Sequence, residues 1–219
     1  MITSYRAVRE AARQIAEAGD EAVTALREER VEHEPEMTDR MLGMIEHSMK
    51  EFRSQGIRWT AKTLTSRVRA SQETIYGADF LGVLNIGLPD FTISKGFLAQ
   101  GRLLRNGYVD DLRRLHRQCE QMLTFSSASF VFLYGEYEIR IVPAVSVLST
   151  TLEPTELYSR SVQRFFEEHL QSFIGDRAIN APTPDVLERL RHEFEARSAL
   201  LLKAEAMEFQ QLLPTEIVE

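Results

Sequence analysis

Four polar side chains with the chemistry to bind a metal ion or a phosphate lie close together in the middle of the chain. Glu73 and Asp79 precede one apolar stretch, and Gln100 and Arg102 lie two residues apart in the next. Carboxylate and amide oxygens bind hard divalent cations, and a guanidinium binds phosphate. The same residue types are common in turns, so the spacing alone leaves a catalytic and a purely structural interpretation open.

The elements that must position these residues are β-strands. FLGVLNI is typical of a buried strand, and FTISKGFLAQGRLL is typical of a longer one; the turn-like GLPD joins them into a predicted hairpin. Side chains alternate along a strand, so Gln100 and Arg102 are expected on one face. Lys95 lies at an odd offset from Arg102 and is expected on the other face, unless a bulge near Gly96 brings it round.

Helices are predicted at both ends of the chain, around this β-rich middle. Residues 5 to 26 have helical spacing, as one long helix or two short ones broken near Gly19, and a second helix starts at Pro35 with a Met-rich stripe assigned to core packing. IRWTAKTLTSRV is a further strand; after the hairpin come a helix in VDDLRRLHRQCEQML and strands in SFVFLYG and IRIVPAVSVL. Helices over residues 156 to 174 and 185 to 209 close the chain.

The composition limits the class of protein. With 219 residues, 43% of them hydrophobic, the chain suits one large domain or a small domain with helical additions. It shows neither a membrane-span pattern nor a signal peptide, which predicts a cytoplasmic protein. A single cysteine, Cys119, excludes an internal disulfide, and the five histidines lack zinc-ligand spacing. Phosphate-loop, dinucleotide-binding, serine-hydrolase and kinase motifs are absent from the sequence.

Charge is unevenly distributed along the chain. The total is −7, but residues 56 to 118 contain ten Lys or Arg against five Asp or Glu, which leaves −12 for the remainder. Binding of a phosphate backbone needs only a local basic patch, so this middle segment remains compatible with a nucleic-acid partner. An ordinary solvated surface is the alternative.

The phrases EtiyGADFlgvlnI and KGfLaQgR resemble the PD-(D/E)XK nuclease superfamily, in its Mrr-like Gln-X-Lys variant. Asp79 matches the aspartate of the first motif, Gln100-Gly101-Arg102 is similar to the second motif with arginine in place of lysine, and Glu73 matches the upstream acid. The resemblance covers residues 57 to 148. It implies a restriction endonuclease-like α/β fold: a core over residues 56–150 with a mixed sheet flanked by helices, a helical extension over 1–55, and C-terminal helices over 151–219 packing on that core.

The resemblance also implies roles for the matched residues. Asp79, Glu73 and Gln100 would hold Mg²⁺ or Mn²⁺, and all four residues would form the catalytic site. Arg102 departs from the family pattern: arginine stays charged at any working pH, so it cannot act as a base and is expected to bind the phosphate instead.

The sequence therefore predicts a metal-dependent nuclease that hydrolyses DNA, and the resemblance implies a setting in bacterial antiviral defence. Residues expected to contact the DNA are Lys95, Arg105, Arg113, Arg114 and Arg117. Cutting two strands favours a homodimer, and docking to a larger defence-system protein is the other expected assembly. The alternative function is a catalytically weak or inactive nuclease-fold protein that serves as a nucleic-acid-binding or protein-interaction subunit.

Overall fold

The structure is a computed structural model that describes residues 5–65 and 76–207. Six α-helices are present in these residues: α1 Tyr5–Arg27, α2 Glu34–Met49, α3 Leu112–Phe125, α4 Ala144–Leu148, α5 Val162–Leu170 and α6 Pro184–Glu193. The same residues form nine strands: β1 Arg53–Ser54, β2 Ile57–Thr65, β3 Phe80–Leu88, β4 Phe91–Arg105, β5 Tyr108–Val109, β6 Ser129–Tyr134, β7 Ile139–Pro143, β8 Arg160–Ser161 and β9 Ser198–Ala206.

The strands form one mixed sheet in the order β1-β2-β9-β3-β4-β6-β7-β8, with β5 added to the end of β4. β9 runs parallel to β3, and β6 runs parallel to β4, while the other neighbours are antiparallel. β6 is buried along its whole length, as expected for a strand covered on both faces. The predicted mixed α/β class with helices flanking a sheet is confirmed.

Helices cover both faces of the sheet and divide the core in two. α1, α2 and α5 pack against one face, where the methionine stripe of α2 is buried with Trp59 and Phe97. α3, α4 and α6 pack against the other face around Leu98 and Cys119. The prediction that the α2 stripe is a packing surface is confirmed, and α1 continues unbroken past Gly19.

The predicted hairpin is confirmed, and its turn determines which residues meet. Leu88 pairs with Phe91, so only Pro89 and Asp90 lie in the turn, and the register then continues without a bulge to Phe80 opposite Ala99. From β4 the chain crosses through α3 and returns in β6, parallel to β4. This register places Asp79, the residue before β3, beside Gln100.

The prediction of one helix over residues 185 to 209 is wrong. α6 ends at Glu193, and the chain then forms β9, whose first five residues are buried between β2 and β3. The segment SALLLKAEA consists mostly of good helix formers, but its run of apolar side chains fills the centre of a sheet covered on both faces, and burial outweighs the weak local preference.

Two other element predictions need correction. Pro143 ends β7 and precedes α4, so the predicted strand IRIVPAVSVL is half strand and half helix. The predicted helix over residues 156 to 174 shortens to α5, because Arg160 and Ser161 pair with β7 first and the Ser161 side chain then caps the helix at the Arg164 N–H.

Candidate active site at the end of the central hairpin

β4 extends beyond β3, and this difference in length creates the site. Pairing of β3 with β4 ends at Ala99, so the next residues of β4 have no strand on that side. Two backbone N–H groups on this open edge bind carboxylates instead: Gly101 N–H donates to Asp79 Oδ2 at 2.9 Å, and Leu103 N–H donates to Glu34 Oε2 at 3.0 Å. Two carboxylates thus lie side by side along one strand edge.

Gln100 joins Asp79 in this arrangement. Its side chain is 1% exposed, and its amide nitrogen donates to Asp79 Oδ2 and to the Gly101 carbonyl oxygen at 3.2 Å. Because both partners are acceptors, the NH₂ group must face them, and the amide oxygen takes no part in these contacts. That oxygen, Gln100 Oε1, is buried without a hydrogen-bond partner, which is uncommon for a buried polar atom.

Arg102 lies two residues further along the same face of β4 and is 5% exposed. Its guanidinium donates to Gln118 Oε1 on α3 and to the Gly101 carbonyl oxygen at 2.8 Å. A longer contact of 3.4 Å joins it to Glu34 Oε1 at the start of α2. The side chain therefore ties three elements together, and its donors are already directed at protein acceptors rather than at a surface phosphate.

The half-buried position of Asp79 affects the pKa of its carboxyl. Burial raises the pKa of its carboxyl to about 6, against the opposing effects of the Arg102 charge and the Gly101 N–H; the Glu34 charge raises it further. A carboxylate that is costly to ionise in the folded protein is a frequent property of functional sites, although structural networks produce it as well.

A pocket of about 630 Å³ opens beside Glu34 and Arg102, whereas Asp79 and Gln100 do not line it. Its walls come from the start of α2, the end of β4, the start of α3 and the residue before β9. The charged residues that line it are Glu32, Glu34, Glu36, Asp110, Asp111, Arg102, Arg105, Arg114 and Arg197. Five acids therefore meet four arginines, and the pocket is not the basic patch that the local charge of the sequence suggested.

The structure separates the residues that were expected to contact DNA. Arg105 and Arg114 line the pocket, although Arg105 pairs with Asp110 at 3.0 Å. Arg113 and Arg117 are exposed on α3 outside the pocket lining.

Lys95 does not belong to this group. It is 3% exposed and lies on the opposite face of the sheet, and the regular β3–β4 register excludes the bulge that could have turned it. Burial, assisted by the nearby Arg177 charge, lowers its pKa to about 8. Five residues of strand put it about 16 Å from Gln100. This placement removes Lys95 from the candidate site and from surface contact with DNA.

Glu73, the remaining predicted site residue, lies outside the described residues. Glu34, Gln118 and Arg197 are part of the site but were not identified from the sequence. Glu34 belongs to the first turn of α2, where an acid is common for reasons of helix electrostatics, so its position carried no specific signal.

Within residues 5–65 and 76–207, no three His, Cys, Asp or Glu side chains come together as a metal site. A glutamine is not counted in such a group. Asp79, Glu34 and Gln100 together would offer a metal ion two carboxylates and one amide oxygen.

The helices of the described segments also lack any span long and apolar enough to cross a membrane. Comparison of the chain with protein-family models, with curated proteins and with solved structures finds no match.

Proposed function

We propose that the protein is a metal-dependent nuclease that hydrolyses phosphodiester bonds in DNA. The observation that supports this proposal best is the meeting of Asp79, Glu34 and Gln100 at the open edge of β4. Glu34 also lines a pocket large enough for a phosphodiester group. Asp79 and Gln100 come from one hairpin, whereas Glu34 comes from the start of α2.

The donor set fits a hard divalent cation. Asp79 and Glu34 supply carboxylate oxygens, and the unpartnered Gln100 Oε1 supplies a neutral one, which suits Mg²⁺ or Mn²⁺. A cation there would neutralise the phosphate and lower the pKa of a bound water. Two acids and an amide give less negative charge than three acids, so we expect weak metal affinity.

Neighbouring groups hold the side chains of Asp79 and Arg102 in position. The Gln100 amide and the Gly101 N–H both hold Asp79 Oδ2, which fixes the orientation of the carboxylate. Gln118 and the Gly101 carbonyl oxygen hold the Arg102 guanidinium behind them. Arg102 thus contributes a fixed positive charge to the site, since arginine keeps its proton at working pH.

A specific observation favours the second candidate, a nuclease-fold protein without catalysis. Arg102 stands where the resembling family has lysine, and its donors are directed at Gln118, Gly101 and Glu34. If this network only closes the end of the sheet, the protein would serve as a nucleic-acid-binding or protein-interaction subunit. A homodimer, a larger defence-system partner, a cytoplasmic location and a role in antiviral defence all stay predictions.

The test is cleavage of supercoiled and linear DNA with Mg²⁺ or Mn²⁺, comparing the native protein with Asp79→Ala, Arg102→Lys and Asp90→Ala. Asp90 is a matched control because it is an exposed acid at the opposite end of the same hairpin. We expect metal-dependent nicking that Asp79→Ala abolishes and Asp90→Ala retains. Absence of cleavage by the native protein and by Arg102→Lys would favour the non-catalytic candidate.

A further inference from the structure

Arg197, the residue before β9, is fixed directly beside Asp79. Its backbone N–H donates to the Asp79 carbonyl oxygen at 2.9 Å, and the Ser198 N–H donates to the same oxygen at 3.2 Å. These bonds continue the parallel pairing of β3 with β9 by one residue, so the position of Arg197 is set by the centre of the sheet.

One side of the Arg197 guanidinium is anchored. Its Nη2 donates to Asp39 Oδ2 at 2.5 Å, and the other oxygen of Asp39 accepts from Ser198 Oγ at 2.7 Å. Asp39 lies on α2, so the contact holds the arginine between two elements that line the site. An arginine held in this way needs little further ordering to bind an anion.

Within the described residues, Nη2 is the one nitrogen of this guanidinium that makes a hydrogen bond. Arg197 Nε has no hydrogen-bond partner although it is buried, and the side chain, which lines the 630 Å³ pocket, is 32% exposed. Arg102 differs in both respects, because its side chain is 7% exposed and its donors are directed at Gln118, Gly101 and Glu34.

We propose that Arg197 binds a phosphate of the nucleic-acid substrate in this pocket, the role that the sequence predicted for Arg102. The pocket contains more acids than arginines, so a phosphate there requires a specific, positioned donor rather than a diffuse positive field. A guanidinium fork anchored at one side and open at the other meets this requirement. The inference rests on the proposed function. It assigns a direct contact with substrate to Arg197, which lies outside the predicted core over residues 56–150.

The experiment measures binding of a fluorescein-labelled 30-bp DNA duplex by fluorescence anisotropy over a series of salt concentrations. It uses EDTA and an Asp79→Asn background, so that cleavage does not interfere. Loss of one phosphate contact should weaken binding by about tenfold. It should also reduce the slope of log K against log salt by about 0.9, because one fewer counterion is released. We expect both effects for Arg197→Gln and retention of the slope for Arg197→Lys.

Arg189→Gln is the matched control, since Arg189 is an exposed arginine of α6 outside the pocket lining. Its slope should equal that of the parent. Circular dichroism and thermal unfolding of Arg197→Gln identify a loss of structure, which would lower the amount of active protein without changing the salt slope of the remainder.

An unchanged slope in Arg197→Gln overturns the inference, even if the native protein cleaves DNA. A reduced slope supports it, even if the native protein cuts nothing, in which case the nuclease proposal alone fails. Failure of the parent protein to bind the duplex at any salt concentration overturns the phosphate contact together with the proposed function.

Discussion

Replacing Asp79 by asparagine should stabilise the folded protein at pH 8 in the absence of metal. The half-buried carboxylate lies near Glu34, and burial raises its pKa from 3.8 to about 6. Asparagine keeps an oxygen that can accept from the Gly101 N–H, but it carries no charge. The substitution therefore removes the cost of ionisation and retains the hydrogen bond.

The magnitude follows from the pKa. Between pH 4 and pH 6 the folded protein keeps a proton on Asp79 that the unfolded chain has lost, so stability falls as pH rises through this window and is then constant. A shift of about two pH units corresponds to about 3 kcal/mol. Asp79 is partly exposed, so the expected gain for Asp79→Asn at pH 8 is about 1 to 3 kcal/mol, disappearing below pH 4.

Urea unfolding at pH 8 and pH 5 in EDTA measures this difference, with Asp90→Asn in the hairpin turn as the control. Repeating the pH 8 measurement with Mg²⁺ tests the proposed metal site without an activity assay. At a Mg²⁺ concentration 100 times the dissociation constant, metal binding would stabilise the native protein by about 2.7 kcal/mol. The stability of Asp79→Asn should not change with Mg²⁺. A less stable Asp79→Asn protein would refute the reasoning, because it would show that the carboxylate is a structural anchor for β4.

Three further predictions concern the rest of the fold. Gly77 has φ +69°, and a Cβ there would lie 2.5 Å from a backbone carbonyl oxygen of α3, whereas Gly56 has φ +76° and open space around it. Alanine should therefore cost about 3 kcal/mol at Gly77 and about 1 kcal/mol at Gly56, measured by urea unfolding. Burial lowers the pKa of His169 to about 3. Below pH 6.5 the unfolded chain therefore binds a proton that the native state does not bind, and stability falls as pH falls. His169→Asn should remove up to about 1.4 kcal/mol of pH dependence per pH unit between pH 6 and pH 4, measured by urea unfolding across this range. Leu200→Ala should cost about 2 to 5 kcal/mol, because the side chain is fully buried in the central strand β9 rather than on a surface helix, and a smaller loss in urea unfolding would contradict that placement.

The meeting of Asp79 with Gln100 could be predicted from the sequence because only local rules determine it. The turn GLPD leaves two residues between the strands, which fixes the register, and alternation then places Gln100 and Arg102 on one face. The side of the sheet occupied by Lys95 followed from the same alternation. Turn length and side-chain alternation are short-range properties, so they predict which residues are neighbours along a hairpin.

The remaining parts of the site depend on long-range packing, which no local pattern reveals. Glu34 reaches the edge of β4 from a helix that begins far upstream, and Arg197 arrives from far downstream. β9 was missed because Leu, Ala, Lys and Glu favour helix locally. Its strand conformation depends on β2 and β3 being spaced to accept it.

The position of β9 also sets the order of events during synthesis. Among the described strands, β9 lies between β2 and β3 and pairs with both, so each of these strands has an unpaired edge until β9 has been synthesised. At 5 to 20 residues per second, the roughly 120 residues between the end of β3 and the end of β9 take on the order of 10 s. The contact of Arg197 with Asp79 forms only afterwards, so the candidate site stays incomplete until β9 has paired.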